Sequence, residues 1–152
     1  MALDADLTGR SYDLKAPYDV SRIDIARFAA AVGEADPVHT DAAVARERGH
    51  RDVLAPVTFP IVVASGAMHQ LLADPSVEIE LRHLVHSAQR FESARAICAG
   101  DVLSARLTVE SVRRAAGTNL IATRTEITDA DGAHVCISHA TLAHRSPDGT
   151  DG

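Results

Sequence analysis

The chain has 152 residues, of which 46% are hydrophobic and 24% are charged. This composition is typical of a folded globular protein rather than a disordered or fibrous one. A chain of this length fits one domain and buries about 70% of the surface that its unfolded form exposes. The formal net charge of −6 and the aromatic content of 3% argue against a nucleic-acid partner, because phosphates attract basic surfaces and single strands stack on aromatic rings.

The two cysteines and the N-terminal segment bear on where the protein resides. Cys98 and Cys136 form no CxxC motif, so we expect buried free thiols rather than a zinc site or a disulfide. The first ten residues are acidic and carry no signal-peptide pattern, and the most apolar stretch of the chain is interrupted by Pro56 and Pro60. We therefore expect a cytoplasmic protein that does not enter a membrane.

The first predicted helix covers about residues 21–33. The sequence SRID, which starts at Ser21, resembles a capping box, and apolar side chains then recur at helical spacing as far as Gly33. Glycine readily takes the left-handed conformation that ends a helix. Residues 34–40 are predicted to form a loop, because Pro37 disfavours a helical backbone in the residue before it.

Two further helices are predicted before the middle of the chain. Asp41 is expected to cap a short helix that ends at Gly49, and a longer helix is predicted over residues 57–72. The longer one is apolar on almost every face, which is typical of a buried helix. Its β-branched residues also suit a strand, but the stretch is too long for a typical strand. Gly66 within it is expected to allow another backbone to approach closely.

The second half of the chain alternates apolar and polar residues, the pattern of strands with one solvent-facing side. The clearest run is 102–112, and three more strands are predicted near 81–95, 118–129 and 133–145. Helices followed by long antiparallel strands predict an α+β fold in which a sheet wraps one apolar helix. Such a sheet leaves an edge exposed, and pairing of two copies would cover it, so we expect a dimer.

Glu34 and His39 are the candidate acid/base residues. A carboxylate and an imidazole five positions apart, separated by a proline that fixes the loop, can both reach one water molecule or one substrate proton. Histidine is the residue type whose charge changes nearest neutral pH. Taken alone, however, an acidic residue at a helix end and a histidine in a loop are common, and more often they have no catalytic role.

The segment GEADPVH, residues 33–39, resembles the hydratase 2 motif of MaoC-like (R)-specific enoyl-thioester hydratases and dehydratases. The segments DVLAPVTFP and VHSAQRFESARAICAGD resemble an actinobacterial branch of that superfamily, the small proteins akin to (3R)-hydroxyacyl-ACP dehydratase subunits and to the N-terminal domain of MaoC-like dehydratases. The resemblance covers nearly the whole chain. It implies a hot-dog fold over residues 1–145, and residues 146–152 are expected to be a disordered tail.

The same resemblance implies roles for individual residues. Glu34 stands at the position of the catalytic aspartate and His39 at that of the catalytic histidine, a pair that holds one water in the hydratases. The backbone amides of Val57 and Thr58, at the start of the long helix, stand where an enolate-like oxygen would bind. Glutamate at position 34 and valine at position 57 depart from the aspartate and the glycine usual in the family.

Further residues are implied to line the substrate pocket, namely Asp36, Pro56, Phe59 and His86. His86 matches a His-x-x-Gln element of the dehydratase N-terminal domains, with a dimer or core role as the alternative. On a regular strand His86 and Gln89 would point to opposite faces, because three positions separate them.

The arginines of the segment RERGHR are candidates for contact with the phosphates of coenzyme A or with an acidic carrier protein. They are Arg46, Arg48 and Arg51. A solvated helix end is the more common explanation for such a cluster. The eight histidines are not at metal-ligand spacings, so no metal site is expected. No cofactor is expected either, because the sequence has no GxGxxG or P-loop stretch and the implied hydratase chemistry needs none.

Two hypotheses follow. The first is a homodimeric hot-dog hydratase or dehydratase that interconverts trans-2-enoyl and (R)-3-hydroxyacyl thioesters of coenzyme A or acyl carrier protein, with His39 and Glu34 as the acid/base pair. The second is a non-catalytic acyl-binding or structural subunit that pairs, as a heterodimer, with a separate MaoC-like catalytic protein. A hot-dog thioesterase is disfavoured, because that chemistry usually places its carboxylate on the central helix, and residues 57–73 contain no acid.

Overall fold

A computed structural model describes residues 5–145, and the predicted tail at 146–152 lies outside this range. The helices are α1 (Arg22–Val32), α2 (Ala42–Glu47) and α3 (Pro60–Leu72), with short 3₁₀ turns at Ala5–Leu7, Pro37–His39 and Leu81–His83. The strands are β1 (Ser11–Asp13), β2 (Tyr18–Asp19), β3 (Leu84–Ser93), β4 (Val102–Ala115), β5 (Thr118–Thr128) and β6 (His134–Arg145).

Helix α1 begins and ends where the sequence predicts. The Ser21 hydroxyl accepts a hydrogen bond from the Asp24 amide at 3.1 Å, and Gly33 ends the helix with a φ of 77°. The amide of Gly33 donates to the carbonyl of Ala30 at 3.3 Å, and the amide of Glu34 donates to the carbonyl of Ala29 at 2.8 Å. The helix therefore closes as in a Schellman motif, which fixes the direction in which the chain enters the loop at 34–40.

The sheet is antiparallel, and its strands lie in the order β1-β4-β5-β6-β3, with β2 also paired to β4. A two-residue turn, Ala116 and Gly117, connects β4 to β5, and a longer turn that contains Gly132 connects β5 to β6. All three residues have the positive φ that these turns need. The predicted α+β plan is confirmed. Strands β1 and β2 were not predicted, because elements of two or three residues are too short to show alternation.

Helix α3 packs on one face of the sheet, chiefly against β4 and then against β1, β5 and β6. Its buried residues form a stripe at helical spacing, consisting of Pro60, Val63, Ala64, Ala67 and Leu71. The remaining flank is partly open, since Ile61 and Val62 are half-buried and His69 is exposed. The prediction of a helix buried on every face is therefore wrong in this respect.

The start of α3 also differs from the predicted position. Residues 57–59 form a turn in which the Phe59 amide donates to the Pro56 carbonyl at 2.9 Å, and the helix begins at Pro60. Proline suits the first helical position because its missing N–H is not needed there. Gly66 is approached by a side chain rather than by a backbone, because a Cβ at this position would lie 2.2 Å from Cδ1 of Leu14.

The core lies between α3 and the sheet. Phe59 is fully buried, and its ring packs edge to face on Phe28 and Tyr18, with centroids 5.4 Å and 6.2 Å away. Cys98 and Cys136 are both free and buried, as predicted. Across residues 5–145, no helix combines the length and the hydropathy that a membrane span requires.

A buried carboxylate, Asp101, joins three connecting segments. It accepts hydrogen bonds from Arg51 at 2.8 Å, from Arg95 at 2.9 and 3.1 Å, and from the Cys98 amide at 3.0 Å, and Arg95 also lies 3.4 Å from Asp129. Burial alone would raise the pKa of Asp101, but the bonds from Arg95, the Cys98 amide and Arg51 outweigh it and lower the pKa below 3.8. The Asp101 cluster thus ties the segment after α2 to the β3–β4 connection and to the β5–β6 turn.

We expect Asp101→Asn to lower the free energy of unfolding by about 2 kcal/mol at neutral pH, because the arginines lose their buried acceptor. A lowered folded-state pKa means that the carboxylate stabilises the fold above the ordinary pKa of 3.8 and loses this effect as the pH falls through the folded-state value. Urea denaturation should therefore show a smaller difference between variant and wild type at pH 3 than at pH 7. Asp131→Asn, at an exposed position of the β5–β6 turn, is the control. If Asp101→Asn and wild type differ in unfolding free energy by the same amount at both pH values, the stabilising role of the Asp101 carboxylate is contradicted.

Candidate functional site

The structure brings Glu34 and His39 together. The Oε2 atom of Glu34 lies 3.8 Å from Nε2 of His39, and 51% of the glutamate side chain is exposed against 9% of the histidine. The end of α1 positions Glu34, and the 3₁₀ turn Pro37–His39 positions His39. A separation of 3.8 Å is too long for a direct hydrogen bond, but one water about 2.8 Å from each atom can contact both. The pair is therefore spaced to hold a single water molecule.

A main-chain carbonyl fixes the orientation of the His39 ring. Nδ1 lies 2.6 Å from the carbonyl oxygen of Leu54, which can only accept, so Nδ1 carries the proton in the neutral ring. Nε2 then presents a lone pair on the side of Glu34. The Leu54 amide donates to the Val38 carbonyl at 2.9 Å, which joins the two segments a second time. Sequence reasoning missed Leu54, because its contribution comes from the backbone and needs no particular side chain.

Asp36 was predicted to line the substrate pocket, but its side chain is engaged by the protein itself. Its Oδ1 accepts from the Val38 amide at 2.9 Å, and Arg48 Nη1 donates to both carboxylate oxygens at 2.7 and 2.9 Å. The bond from Val38, followed by the bond from Arg48, lowers the pKa of Asp36. Asp36 thus caps the turn that carries His39 rather than forming a pocket wall.

The three arginines predicted to meet a phosphate or a carrier protein each face a carboxylate of the chain. Arg48 pairs with Asp36, Arg51 contributes to the Asp101 cluster, and Arg46 lies 3.6 Å from Asp52. These contacts weaken the basic field that a phosphate site requires. The role of these arginines in ligand contact stays a prediction.

The turn before α3 provides two backbone donors. Pro60 has no N–H, and the amides of Ile61 and Val62 already donate to Thr58 and Phe59. Within residues 5–145, the amides of Val57 and Thr58 have no protein acceptor. Two backbone N–H groups at the positive end of a helix can stabilise a developing negative charge on oxygen.

An apolar groove of about 340 Å³ borders this turn. It is lined by residues 54–57, Pro60 and residues 93–97, so Pro56 lies in its wall as predicted for a pocket residue. Val57 is 84% exposed. The structure places Phe59 in the core beneath this segment instead of in the groove. The groove shares Leu54 with the bond that orients His39.

His86 and Gln89 share a face of β3, contrary to the expectation for a regular strand. A β-bulge between His86 and Ala88 inserts one residue and changes the alternation. His86 Nε2 lies 2.9 Å from Gln89 Oε1, and Gln89 Nε2 donates to the hydroxyl of Ser138 at 2.7 Å. These three side chains line a small cavity of about 40 Å³ between α3 and the sheet.

A cavity of about 520 Å³, larger than the groove, borders the Asp101 cluster. Neither Glu34 nor His39 lines this cavity or the groove, but the groove includes Leu54, whose carbonyl bonds the His39 ring, and the cavity does not. We therefore assign the candidate active site to the groove beside Leu54. Over the described range 5–145, no three histidine, cysteine, aspartate or glutamate side chains lie close enough together to hold a metal ion.

The chain is similar to known dehydratases in sequence and in structure. Residues 6–138 match the model of the family described as "FAS1-like, dehydratase domain region". A UPF0336 protein from Thermobifida fusca is 38% identical over 152 residues, which cover 99% of this chain and 100% of the relative. In the crystal structure of the truncated HadBC (3R-hydroxyacyl-ACP dehydratase) complex from Mycobacterium tuberculosis, a chain matches with a TM-score of 0.83 and 28% identity, over 91% of this chain and 97% of that one.

A second solved structure, a MaoC-like dehydratase, also has a TM-score of 0.83, at 32% identity over 97% of this chain and 44% of that one. The resemblance to MaoC-like dehydratases and the hot-dog architecture are thus confirmed.

The geometry at His39 predicts its tautomer. In protein labelled with ¹⁵N at histidine, we expect the neutral ring of His39 to carry its proton on Nδ1, because the Leu54 carbonyl accepts that hydrogen. A two-dimensional ¹H–¹⁵N correlation spectrum at pH 8 distinguishes the two nitrogens, and His39→Ala identifies the signals. A proton on Nε2 would contradict the assignment.

Proposed function

The chain belongs to the family of FAS1-like dehydratase domain regions, and on that basis we propose that it interconverts trans-2-enoyl and (R)-3-hydroxyacyl thioesters of coenzyme A or acyl carrier protein. The observation that carries the proposal is the spacing of 3.8 Å between Glu34 and His39 beside an apolar groove. An acid/base pair supplies the proton transfers that hydration and dehydration need, and the groove suits an acyl chain.

The pair acts through one water molecule. With His39 neutral and Glu34 ionised, both groups accept hydrogen bonds, so the water donates one hydrogen to each and directs a lone pair at the β-carbon of the enoyl thioester. As the carbon–oxygen bond forms and the double bond opens, one member of the pair takes a proton from the water, and the same group then delivers that proton to the α-carbon on the same face. Dehydration follows the reverse course and releases the water.

The turn before α3 serves the thioester oxygen. Negative charge moves onto this oxygen as the enolate-like intermediate forms, and in this proposal the amides of Val57 and Thr58, which have no protein acceptor within residues 5–145, donate hydrogen bonds to it. The dipole of α3 favours the same charge. The acid/base loop and these amides are joined through Leu54, so the two halves of the proposed site are held in fixed relation.

His39→Ala and Glu34→Gln are each expected to lower kcat by about 100-fold to 10,000-fold, the contribution typical of a positioned acid or base. Turnover is followed as the loss of enoyl-thioester absorbance with short and medium trans-2-enoyl-CoA substrates. Glu34→Asp keeps the carboxylate and should retain more activity than Glu34→Gln. Glu47→Gln, a change of an exposed acid at the end of α2, is the matched control. If variants that are folded by circular dichroism turn over the thioesters as fast as wild type, the proposal fails.

A second function is favoured by the similarity to the HadBC complex, whose solved form contains more than one kind of subunit. The chain would then be a non-catalytic acyl-binding subunit of a heteromeric dehydratase. The departure from aspartate at position 34 is consistent with this alternative. Both functions require that the exposed edge strand β3 be covered, because a ten-residue strand with one free edge invites pairing.

We expect the purified chain to form a homodimer through β3, with twice the 16.1 kDa mass of one chain by size exclusion and light scattering. Val85→Lys places a charge on an exposed position of β3 and should shift the protein toward monomer. Val32→Lys, at an exposed valine of α1, is the control. A wild-type monomer that assembles only with a co-expressed MaoC-like protein would favour the second function over the first.

A further inference from the structure

Polar side chains are concentrated in the small cavity between α3 and the sheet. His86, Gln89 and Ser138 line it together with the hydroxyl-bearing residues Ser65 and Thr125, while its other walls are apolar. Ser138 and Thr125 are each only 2% exposed. Burying polar groups costs free energy unless they are hydrogen-bonded. This cost applies to Ser138 and Thr125, whereas His86 and Gln89 are exposed on the edge strand β3, so a ligand with polar atoms can reach the buried groups from solvent.

The hydrogen bonds in this cavity have fixed directions. Gln89 Nε2 donates to Ser138 Oγ at 2.7 Å and lies 3.4 Å from the Arg90 carbonyl, which can only accept. This arrangement sets the amide so that Oε1 accepts from Nε2–H of His86 at 2.9 Å. Nδ1 of the neutral His86 ring is then an acceptor, and Ser138 retains its own O–H for donation.

The chemistry of these groups selects among ligand atoms. The cavity offers a hydrogen-bond donor at Ser138 and an acceptor at His86. An alcohol can both accept and donate, so it matches this pair. A carbonyl oxygen uses the donor alone, and the methyl end of a plain acyl chain would leave both groups unpaired.

The polar cavity and the apolar groove lie next to each other along α3. Helix α3 packs on β1, β4, β5 and β6, and the cavity is lined by α3 residues together with His86 and Gln89 of β3. Pro60 and Ser93 line the groove, whereas Ile61 and Gln89 line the polar cavity. Thr58 and Ser65 are seven positions apart, which at the rise of a helix corresponds to about 10 Å, or about eight carbons of an extended acyl chain.

We propose that this cavity binds a hydroxyl group carried by the acyl chain of the ligand, so that the protein selects hydroxylated acyl thioesters over plain ones of equal length. The identity of the thioester end rests on the proposed function, whereas the preference for a hydroxyl rests on His86, Gln89 and Ser138. These three are specificity-determining residues, and they do not take part in the acid/base chemistry at Glu34 and His39.

The test is equilibrium binding of unreactive saturated analogues by titration calorimetry. Octanoyl-CoA is compared with 8-hydroxyoctanoyl-CoA. The corresponding six-carbon and ten-carbon pairs are included because the distance from the thioester to the cavity is known only to within about two carbons. We expect the hydroxylated member of at least one pair to bind about tenfold more tightly, the gain from about one well-placed hydrogen bond. Gln89→Leu and Ser138→Ala should remove this preference, and Gln70→Leu on α3 is the matched control.

The outcomes separate this inference from the proposed function. His39→Ala should keep the binding preference although its kcat is lowered by about 100-fold or more. A protein that is catalytically silent but prefers hydroxylated analogues supports the inference alone. Equal binding of both members of every pair, or no binding of either, overturns it even if trans-2-enoyl thioesters are hydrated. A preference that persists unchanged in both Gln89→Leu and Ser138→Ala also overturns it. Loss of stability without loss of the preference would show a purely structural role for these residues.

Discussion

The hydrogen bond of 2.6 Å between His39 and the Leu54 carbonyl is the contact on which the candidate site depends. It selects the tautomer of the ring, and it joins the loop after α1 to the segment that leads into α3. The proposed acid/base pair and the proposed oxyanion donors lie on these two segments, so their spacing follows from one short polar contact. The Asp36–Arg48 pair supports the same turn from its solvent side.

Local signals in the sequence were sufficient for most of the fold. Ser21 and Gly33 mark the ends of α1 by capping chemistry that acts within a few residues, and alternation marks β4, β5 and β6 because each has a buried face. The start of α3 was placed too early, because an apolar run does not show that Pro60 takes the first helical position. The open flank of α3 reflects the position of β3 in the sheet, which a single sequence does not encode locally.

The candidate site was likewise predicted only in part from the sequence. The residue types at positions 34 and 39 and their spacing suggested a pair, and the structure places the two side chains 3.8 Å apart. The partners that position them were not predictable, because Leu54 acts through its backbone and Arg48 reaches Asp36 from another helix end. The arginines suggested a ligand contact only while their acidic partners were unknown, since Asp101 is distant from Arg51 in sequence and adjacent in space.

The bulge in β3 makes the chemistry of the cavity depend on residue count as well as residue type. Ser87 is the extra residue, and its hydroxyl donates to the Thr141 carbonyl at 3.1 Å, which holds the irregularity in place. Without this insertion the alternation would carry the His86 imidazole through the sheet to its outer surface, while Gln89 stayed inside. In related chains, the length of this short interval is therefore as informative as the presence of the histidine and the glutamine that bound it.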